Sequence, residues 1–465
     1  MSKDIEYGSA DGKVDYAIAV KEMDPVDVDA VFGYQGEGHV NYTSMGWIKA
    51  AVILLKTQIA LGVLAMPTAL QSVGAVPGAL VIFGIALLTS WAGYVVGTFK
   101  RNHPEVYSMA EVGGVLAGKI GQEVFTGIYA AFMISLTGVA LLPITIAFNA
   151  LSDHATCTLV WMVLAAVVAC ALASIQTLNK VSLIGSVGVA CILVAIFTLL
   201  IAVGVQERPA TAPPAPEPWF KDMVAFKKAS FWDGVNAMST AVAGLCGTPA
   251  FFSVISEMKN PKDYNKSLAV CQSIVVSTYV TVAVVVYYFC GQYLASPALG
   301  SAGPLLKKVC YGIALPGLFA TSILYCHIAA KLVFVRLMRK SEHLTAHTKT
   351  HWIVWLGTTS GCMLLGFILA NSIPFFGNLI VLVCALFGTL MCMQFTGWMW
   401  LYDNWHRRKE SPDWKFWTVA IFNWLLIVFG TFLMISGVVS SCLGIRDSFR
   451  AGTISRPFSC ADNSK

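Results

Sequence analysis

The chain has 465 residues, of which 57% are hydrophobic and only 12% charged, and its mean hydropathy is +0.69; an ordinary soluble domain carries roughly 25% charged residues. This composition excludes a soluble globular protein and describes a polytopic membrane protein. The formal net charge of +6 is dispersed in short basic clusters between apolar runs, which is the pattern of membrane loops rather than of a nucleic-acid surface.

Residues 1–45 are polar and acidic, with Asp4, Glu6, Asp11 and Asp15 among their charges. They lack the basic start and short apolar core of a cleaved signal peptide. They are expected to form a disordered cytoplasmic tail, with the first transmembrane helix acting as the targeting signal. Lys3, Lys13 and Lys21 offer acceptors to a ubiquitin ligase; a merely solvated tail is the plain alternative.

Eleven apolar runs follow: Trp47 to Gln71, Val76 to Phe99, Gln122 to Ala150, Leu159 to Ser174, Val181 to Val205, Asp233 to Met258, Leu268 to Leu294, Ile313 to Met338, Trp352 to Ala370, Phe376 to Leu401 and Phe416 to Leu443. Each approaches or exceeds the roughly 20 residues a helix needs to cross a bilayer, the fourth being the shortest. They are numbered here as spans one to eleven. Span one carries Lys56, which at about 1.5 Å per residue lies roughly 14 Å along the helix, near the middle of a hydrocarbon core about 30 Å thick. An ionisable residue at that depth faces a bundle interior or a water path, so it points to transport.

Lysine and arginine in the loops set the orientation. With the amino terminus inside, the inner loops hold Lys100, Arg101, Arg336, Arg339, Lys340, Arg407, Arg408 and Lys409 among others, and the outer loops hold few. The odd span count leaves the carboxyl tail outside. The sequons at Asn41 and Asn265 then lie in the cytoplasm and are expected to stay unmodified. Most of the thirteen cysteines fall within apolar runs, where cysteine behaves as a small hydrophobe. Cys157 and Cys310 fall in segments placed on the outer side, so a disulfide between the two is possible, although sequence alone does not fix pairing. Residues 206–232, with Pro209, Pro213, Pro214, Pro216 and Pro218, read as a stiff outer connector.

Two spans are interrupted by glycine and proline. Span one continues from Lys56 as Thr57-Gln58-Ile59-Ala60-Leu61-Gly62-Val63-Leu64-Ala65-Met66-Pro67, and span six reads Gly244-Leu245-Cys246-Gly247-Thr248-Pro249. Glycine and proline occur in ordinary membrane helices, but matched breaks five spans apart point to an inverted-repeat transporter with a midplane site. Residues 46–205 (spans one to five) and 233–402 (spans six to ten) form the two repeats, followed by span eleven with its preceding loop at 403–443 and a tail at 444–465. An unwound helix aims N–H groups at a carboxylate and carbonyl groups at an ammonium, which suits an α-amino acid. Ile59, Ala60, Leu61, Gly62 and Val63 are the expected donors to the carboxylate. Gly244, Leu245, Cys246, Gly247 and Thr248 are the expected acceptors for the amine.

Leu54-Leu55-Lys56 through Pro67 resembles the LLKxxIGxGxLxxP opening helix of the amino acid/auxin permease family, and Ser256-Glu257-Met258-Lys259-Asn260-Pro261 resembles the end of its sixth helix. The likeness runs from Gly46 to Leu443 and is strongest to fungal methyltryptophan-resistance-type neutral amino acid permeases. Ala60 stands where the family's first glycine is expected. The resemblance implies an all-α, LeuT-like 5+5 inverted repeat plus one helix, importing neutral aliphatic and aromatic amino acids across the plasma membrane by proton symport with alternating access. It also implies that lysine at position 56 takes the place of an asparagine found in sodium-coupled relatives, so that the proton is the coupling ion. Two roles for Lys56 stay open: a group that gains and loses the proton, and a fixed charge that substitutes for sodium. A vacuolar exporter of the same family is the alternative.

His327 and Lys331, four residues apart in span eight, share a helix face and are further proton-coupling candidates, although a lone histidine also serves as an interhelical hydrogen bonder. Glu257, at the inner end of span six, is a gate candidate or half of a structural ion pair. His343, His347 and His351 recur every fourth residue, but without HExxH or a second cluster they read as a solvated loop. No metal or cofactor other than the proton is expected. No P-loop, GxSxG or paired carboxylates occur in the spans, so neither an enzyme nor an ATP-driven pump is expected. A channel or an amino acid sensor is the competing class, and neither explains two matched breaks.

Overall fold

The computed structural model describes residues 28–29, 33–34, 45–59, 62–175, 178–209, 211–213, 217–338, 348–373, 375–409, 413–450 and 457–464. Among them, nine helices are long and apolar enough to cross a membrane. A tenth span is the pair Trp47–Gln58 and Gly62–Val73, bent by 46°. Helix Thr158–Ala173, span four, is apolar but has only 16 residues. Of residues 1–45, Val28–Asp29 pairs antiparallel with Gly33–Tyr34 inside the stretch expected to be disordered; Lys3, Lys13 and Lys21 lie outside the described residues, as do His343 and His347.

Local chemistry explains where the helices begin and end. Span six starts at Phe231 behind a capping box, in which the Asp233 N–H donates to Ser230 Oγ at 3.2 Å and the Ser230 N–H donates to Asp233 Oδ2 at 2.9 Å. These bonds satisfy donors that a helix start leaves open. Spans one and two join at Gly74, whose φ of 100° is reserved in practice for glycine. The outer connector straps this turn: Ala75 N–H donates to Val224 O and Val76 N–H to Ala225 O, each at 3.0 Å. Helix Met109–Ser152 is broken at Ala117 and Gly118, so span three is preceded by a short separate helix.

Lipid tails are as apolar as leucine, so helices in a bilayer are held together by close packing rather than by the hydrophobic effect. Gly138 of span three therefore meets Gly366 of span nine backbone to backbone, and Gly188 of span five meets Gly317 of span eight in the same way. The outward stripes remain apolar: Val194, Phe197 and Ile201 of span five stand 52%, 62% and 68% exposed on one helix face, as a lipid-facing surface requires.

The cysteine pairing differs from the one left open by the sequence. Cys157 is bonded to Cys460, and Cys310 is a buried free thiol. The helix of span eight, Pro304–Met338, begins at Pro304 rather than near Ile313, which places Cys310 inside it and turned into the bundle. The last helix continues through Arg450, and the chain then returns to bring Cys460 to Cys157. Peptide mapping of the unreduced protein should find residues 157 and 460 in one cross-linked fragment and Cys310 as a free thiol; a 157–310 fragment would contradict the fold at this end.

Candidate functional site

The two interrupted spans are built alike. Span one runs as helix Trp47–Gln58, a 3-10 turn Gly62–Leu64 and helix Met66–Val73. Pro67 sits in the first turn of the second helix, where its missing N–H is tolerated, and it withdraws the donor that the Val63 carbonyl would use in a continuous helix. Span six runs as helix Phe231–Leu245, a 3-10 turn Thr248–Ala250 and helix Phe251–Ser256. Pro249 likewise withdraws the donor for the Leu245 carbonyl.

The breaks touch each other. A β carbon added to Gly62 would overlap the Gly244 Cα and lie 2.8 Å from its carbonyl oxygen, so the two backbones cross at a distance that only glycine allows. One residue from span seven fastens the crossing. Tyr279, fully buried, places its Oη 2.6 Å from Gln58 O and 3.0 Å from Gly244 O, sharing one hydroxyl proton between the last turns before the two breaks. The expected site residues Ile59, Gly62, Val63, Gly244, Leu245, Gly247 and Thr248 are all buried, and Cys246 is partly so; Ala60 and Leu61 lie outside the described residues.

Span ten completes the surroundings of the span-six break. It is wound as a π-helix at Cys384–Gly388 and again at Leu390–Gln394, a form that recurs at functional sites because the wider turn re-aims backbone and side chains. Cys384 Sγ lies 3.6 Å from Cys246 Sγ. Gly388 leaves room for the same sulfur, since a β carbon there would stand 3.3 Å from it.

The coupling candidates turn to different neighbours. Lys56 is 8% exposed, and the end of its side chain lies in a notch at Gly185 of span five, where an added β carbon would overlap Nζ and Cε and fall 2.9 Å from Cδ. His327, fully buried, donates from Nδ1 to Ala173 O of span four at 3.1 Å and stands edge-on to Trp355 of span nine, with ring centroids 5.4 Å apart. Its Nε2 has no partner among the described residues. Lys331 and Glu257 attract each other without closing to contact.

Three contributors carry no signal in the sequence beyond their residue type. They are Tyr279, Gly185 and Gln58, the last 3% exposed, contacting the position of Gly247 and donating from Nε2 to Cys271 Sγ at 3.7 Å.

The faces of the bundle differ. At the amino-terminal face, Met45 and Met258 form a parallel bridge, with the Met45 N–H donating to Glu257 O at 3.1 Å and the Lys259 N–H to Met45 O at 2.9 Å. This ties the entrance of span one to the exit of span six. From the opposite face a cavity of about 1020 Å³ reaches in as far as Ala65 of span one and Thr240 of span six, lined also by Thr68 and Ser72 of span one, Asn236 of span six and Asn149 of span three.

Gly62→Ala is expected to force the two breaks apart and reduce transport to background while the protein is still produced; wild-type rates would show that the close crossing is dispensable. Tyr279→Phe strips a donor from two buried carbonyls, which costs about 1–3 kcal/mol when it leaves an acceptor unsatisfied. A lowered thermal midpoint for the purified variant is the expected result, and an unchanged one would contradict the clasp.

Comparison with known proteins agrees with this architecture. The profile of the family described as "Transmembrane amino acid transporter protein" matches residues 43–443. The chain is 35% identical to a "Transmembrane transporter" of Fusarium pseudograminearum, over 91% of this chain and 89% of that one. It is 31% identical to the "N amino acid transport system protein" of Neurospora crassa, over 91% and 90%. Among solved structures, the inward-facing conformation of Mhp1 superposes with a TM-score of 0.56 at 11% identity, covering 95% of this chain and 96% of that one. A closed conformation of Mhp1, a nucleobase-cation-symport-1 family transporter with bromovinylhydantoin bound, gives 0.55 at 11%, covering 95% and 100%. These likenesses give the fold, a LeuT-like 5+5 arrangement with an added helix. With crossed helix breaks at its centre and the family profile covering residues 43–443, the chain belongs to the transmembrane amino acid transporter family and is a membrane transporter, not an enzyme.

Proposed function

We propose that this protein imports neutral aliphatic and aromatic amino acids by proton symport, alternating access between the two faces. The observation that carries the reading is the contact of Gly62 with Gly244. It sets the start of one half-helix, rich in N–H donors, beside carbonyl groups released at the end of another, and the two charges of an α-amino acid match that pair. The carbonyl freed by Pro249 is that of Leu245, the natural partner for the ammonium group. Side chains bordering the breaks, Met66, Tyr279, Cys246 and Cys384, are uncharged, which favours a neutral substrate side chain.

Proton coupling rests on Lys56. An ammonium held against Gly185 by spans one and five supplies a positive charge that a sodium-coupled carrier obtains from its ion. The proton reaches and leaves this group in one reading, and the charge is permanent in the other. His327 is a candidate for a relay within spans four, eight and nine. Glu257 and Lys331 are candidates for a gate at the amino-terminal face.

For orientation, we read the amino-terminal face as cytoplasmic, in keeping with the basic loops. The Cys157–Cys460 disulfide supports an oxidising space at the opposite face, and the plasma membrane is the site that fits import. A ubiquitin ligase acting on Lys3, Lys13 or Lys21 would control the amount at the surface.

In a transport-deficient cell, uptake of radiolabelled neutral amino acids should be greater at pH 5 than at pH 7 and should fall when a protonophore is added. Uptake that follows sodium and ignores the proton gradient would overturn the coupling. Lys56→Asn should remove the pH dependence, and undiminished dependence would take Lys56 out of the mechanism. Amino acid release from vacuoles, with no uptake at the cell surface, would favour an exporter.

A further inference from the structure

Residues 457–464 lie beyond the last span and return across the face opposite the amino-terminal one. Their contacts follow in sequence. The Phe458 N–H donates to Asn371 O, at the end of span nine, at 3.3 Å. Cys460 is bonded to Cys157, just ahead of span four. Thr158 Oγ1 donates to Ala461 O at 2.7 Å. Asp462 Oδ1 then accepts from the N–H and the hydroxyl of Ser464, at 2.9 and 2.8 Å, which turns the segment inward.

Asn463 enters the bundle. Its Oδ1 accepts from Asn149 Nδ2 at 2.8 Å and its Nδ2 donates to Thr145 Oγ1 at 3.3 Å. Thr145 and Asn149, both of span three, have no exposed surface. The Ser464 carbonyl accepts from Lys307 Nζ of span eight. As a result Asp462, Asn463 and Ser464 form part of the wall of the cavity of about 1020 Å³ that reaches in toward the crossed breaks as far as Ala65 and Thr240. A segment outside the repeats thus bridges spans three, eight and nine over the mouth of the site.

We infer that residues 457–464 are a lid on the substrate's path, docked into the mouth of the cavity by Asn463 and stapled there by Cys157–Cys460. The inference rests on the transport reading for the meaning of that cavity, but not for the docking itself. The staple is what makes the lid persistent. Each docking hydrogen bond gains little net over a bond to water, and ordering eight residues of backbone opposes them. A covalent tie removes most of that opposition by keeping the segment near its seat after the bonds open.

The test is accessibility, which needs no substrate. Thr145→Cys places a thiol beneath Asn463, and Lys228→Cys places one on the exposed outer connector as a control. Each variant, purified in lipid nanodiscs, is alkylated with N-ethylmaleimide and the rate at the new cysteine is read by mass spectrometry, with and without prior reduction by a phosphine. Reduction splits the S–S bond into two thiols, the phosphine taking oxygen from water and the sulfurs its protons. Reduction should accelerate alkylation at residue 145 by roughly tenfold through local opening, and leave residue 228 unchanged. Asn463→Ala in the Thr145→Cys chain, with the disulfide intact, should produce a smaller acceleration. The lid is overturned if residue 145 reacts equally fast before and after reduction, or if residue 228 accelerates in parallel, since reduction would then loosen the whole protein.

Discussion

The close crossing of Gly62 and Gly244 is the constraint on which the rest of the structure depends. Two polypeptide segments pass each other inside the bundle with no side chain between them, and each is unwound where it passes. Unsatisfied peptide groups are costly in a bilayer, so such unwinding persists only where protein or water lines it. Tyr279 meets part of that demand, at the Gln58 and Gly244 carbonyls. A substrate bearing a carboxylate and an ammonium would complete the hydrogen bonding that the chain leaves open.

The surrounding helices follow from this requirement. Spans three and nine, and spans five and eight, meet through paired glycines because shape, not apolar area, holds helices together in lipid. Span ten departs from α geometry twice beside the break of span six, bringing Cys384 and Gly388 to it. The bridge of Met45 with Met258 ties the two broken spans at one face, while the cavity lies toward the other. This asymmetry is what one half of an alternating-access cycle requires.

Much of the architecture could be read from the chain because its signals act through the backbone. Gly62, Pro67, Gly244 and Pro249 interrupt helices whatever packs around them, and Lys56 is conspicuous by depth alone. Apolar run lengths likewise placed the spans, with errors at their ends: Pro304 and Arg450 extend helices into stretches that look too polar to belong to a span. What could not be read depends on tertiary contact. Tyr279 is one aromatic residue among many in an apolar run, and only the folded chain places its hydroxyl on two carbonyls. Gly185 is one small residue among several in span five until Lys56 is found against it. The disulfide partner of Cys157 was hidden for the same reason, because its choice depends on where residues beyond the last helix return.

The central claim is that one substrate molecule must satisfy both breaks at once. Thermal unfolding of the purified protein in the presence of small ligands tests this most directly, because a ligand that binds only the native state raises the midpoint. The account predicts that a neutral α-amino acid raises the midpoint, while its decarboxylated amine and its deaminated acid, each lacking one of the two charged groups, leave it unchanged at the same concentration. Equal stabilisation by the amine or the acid alone would contradict it.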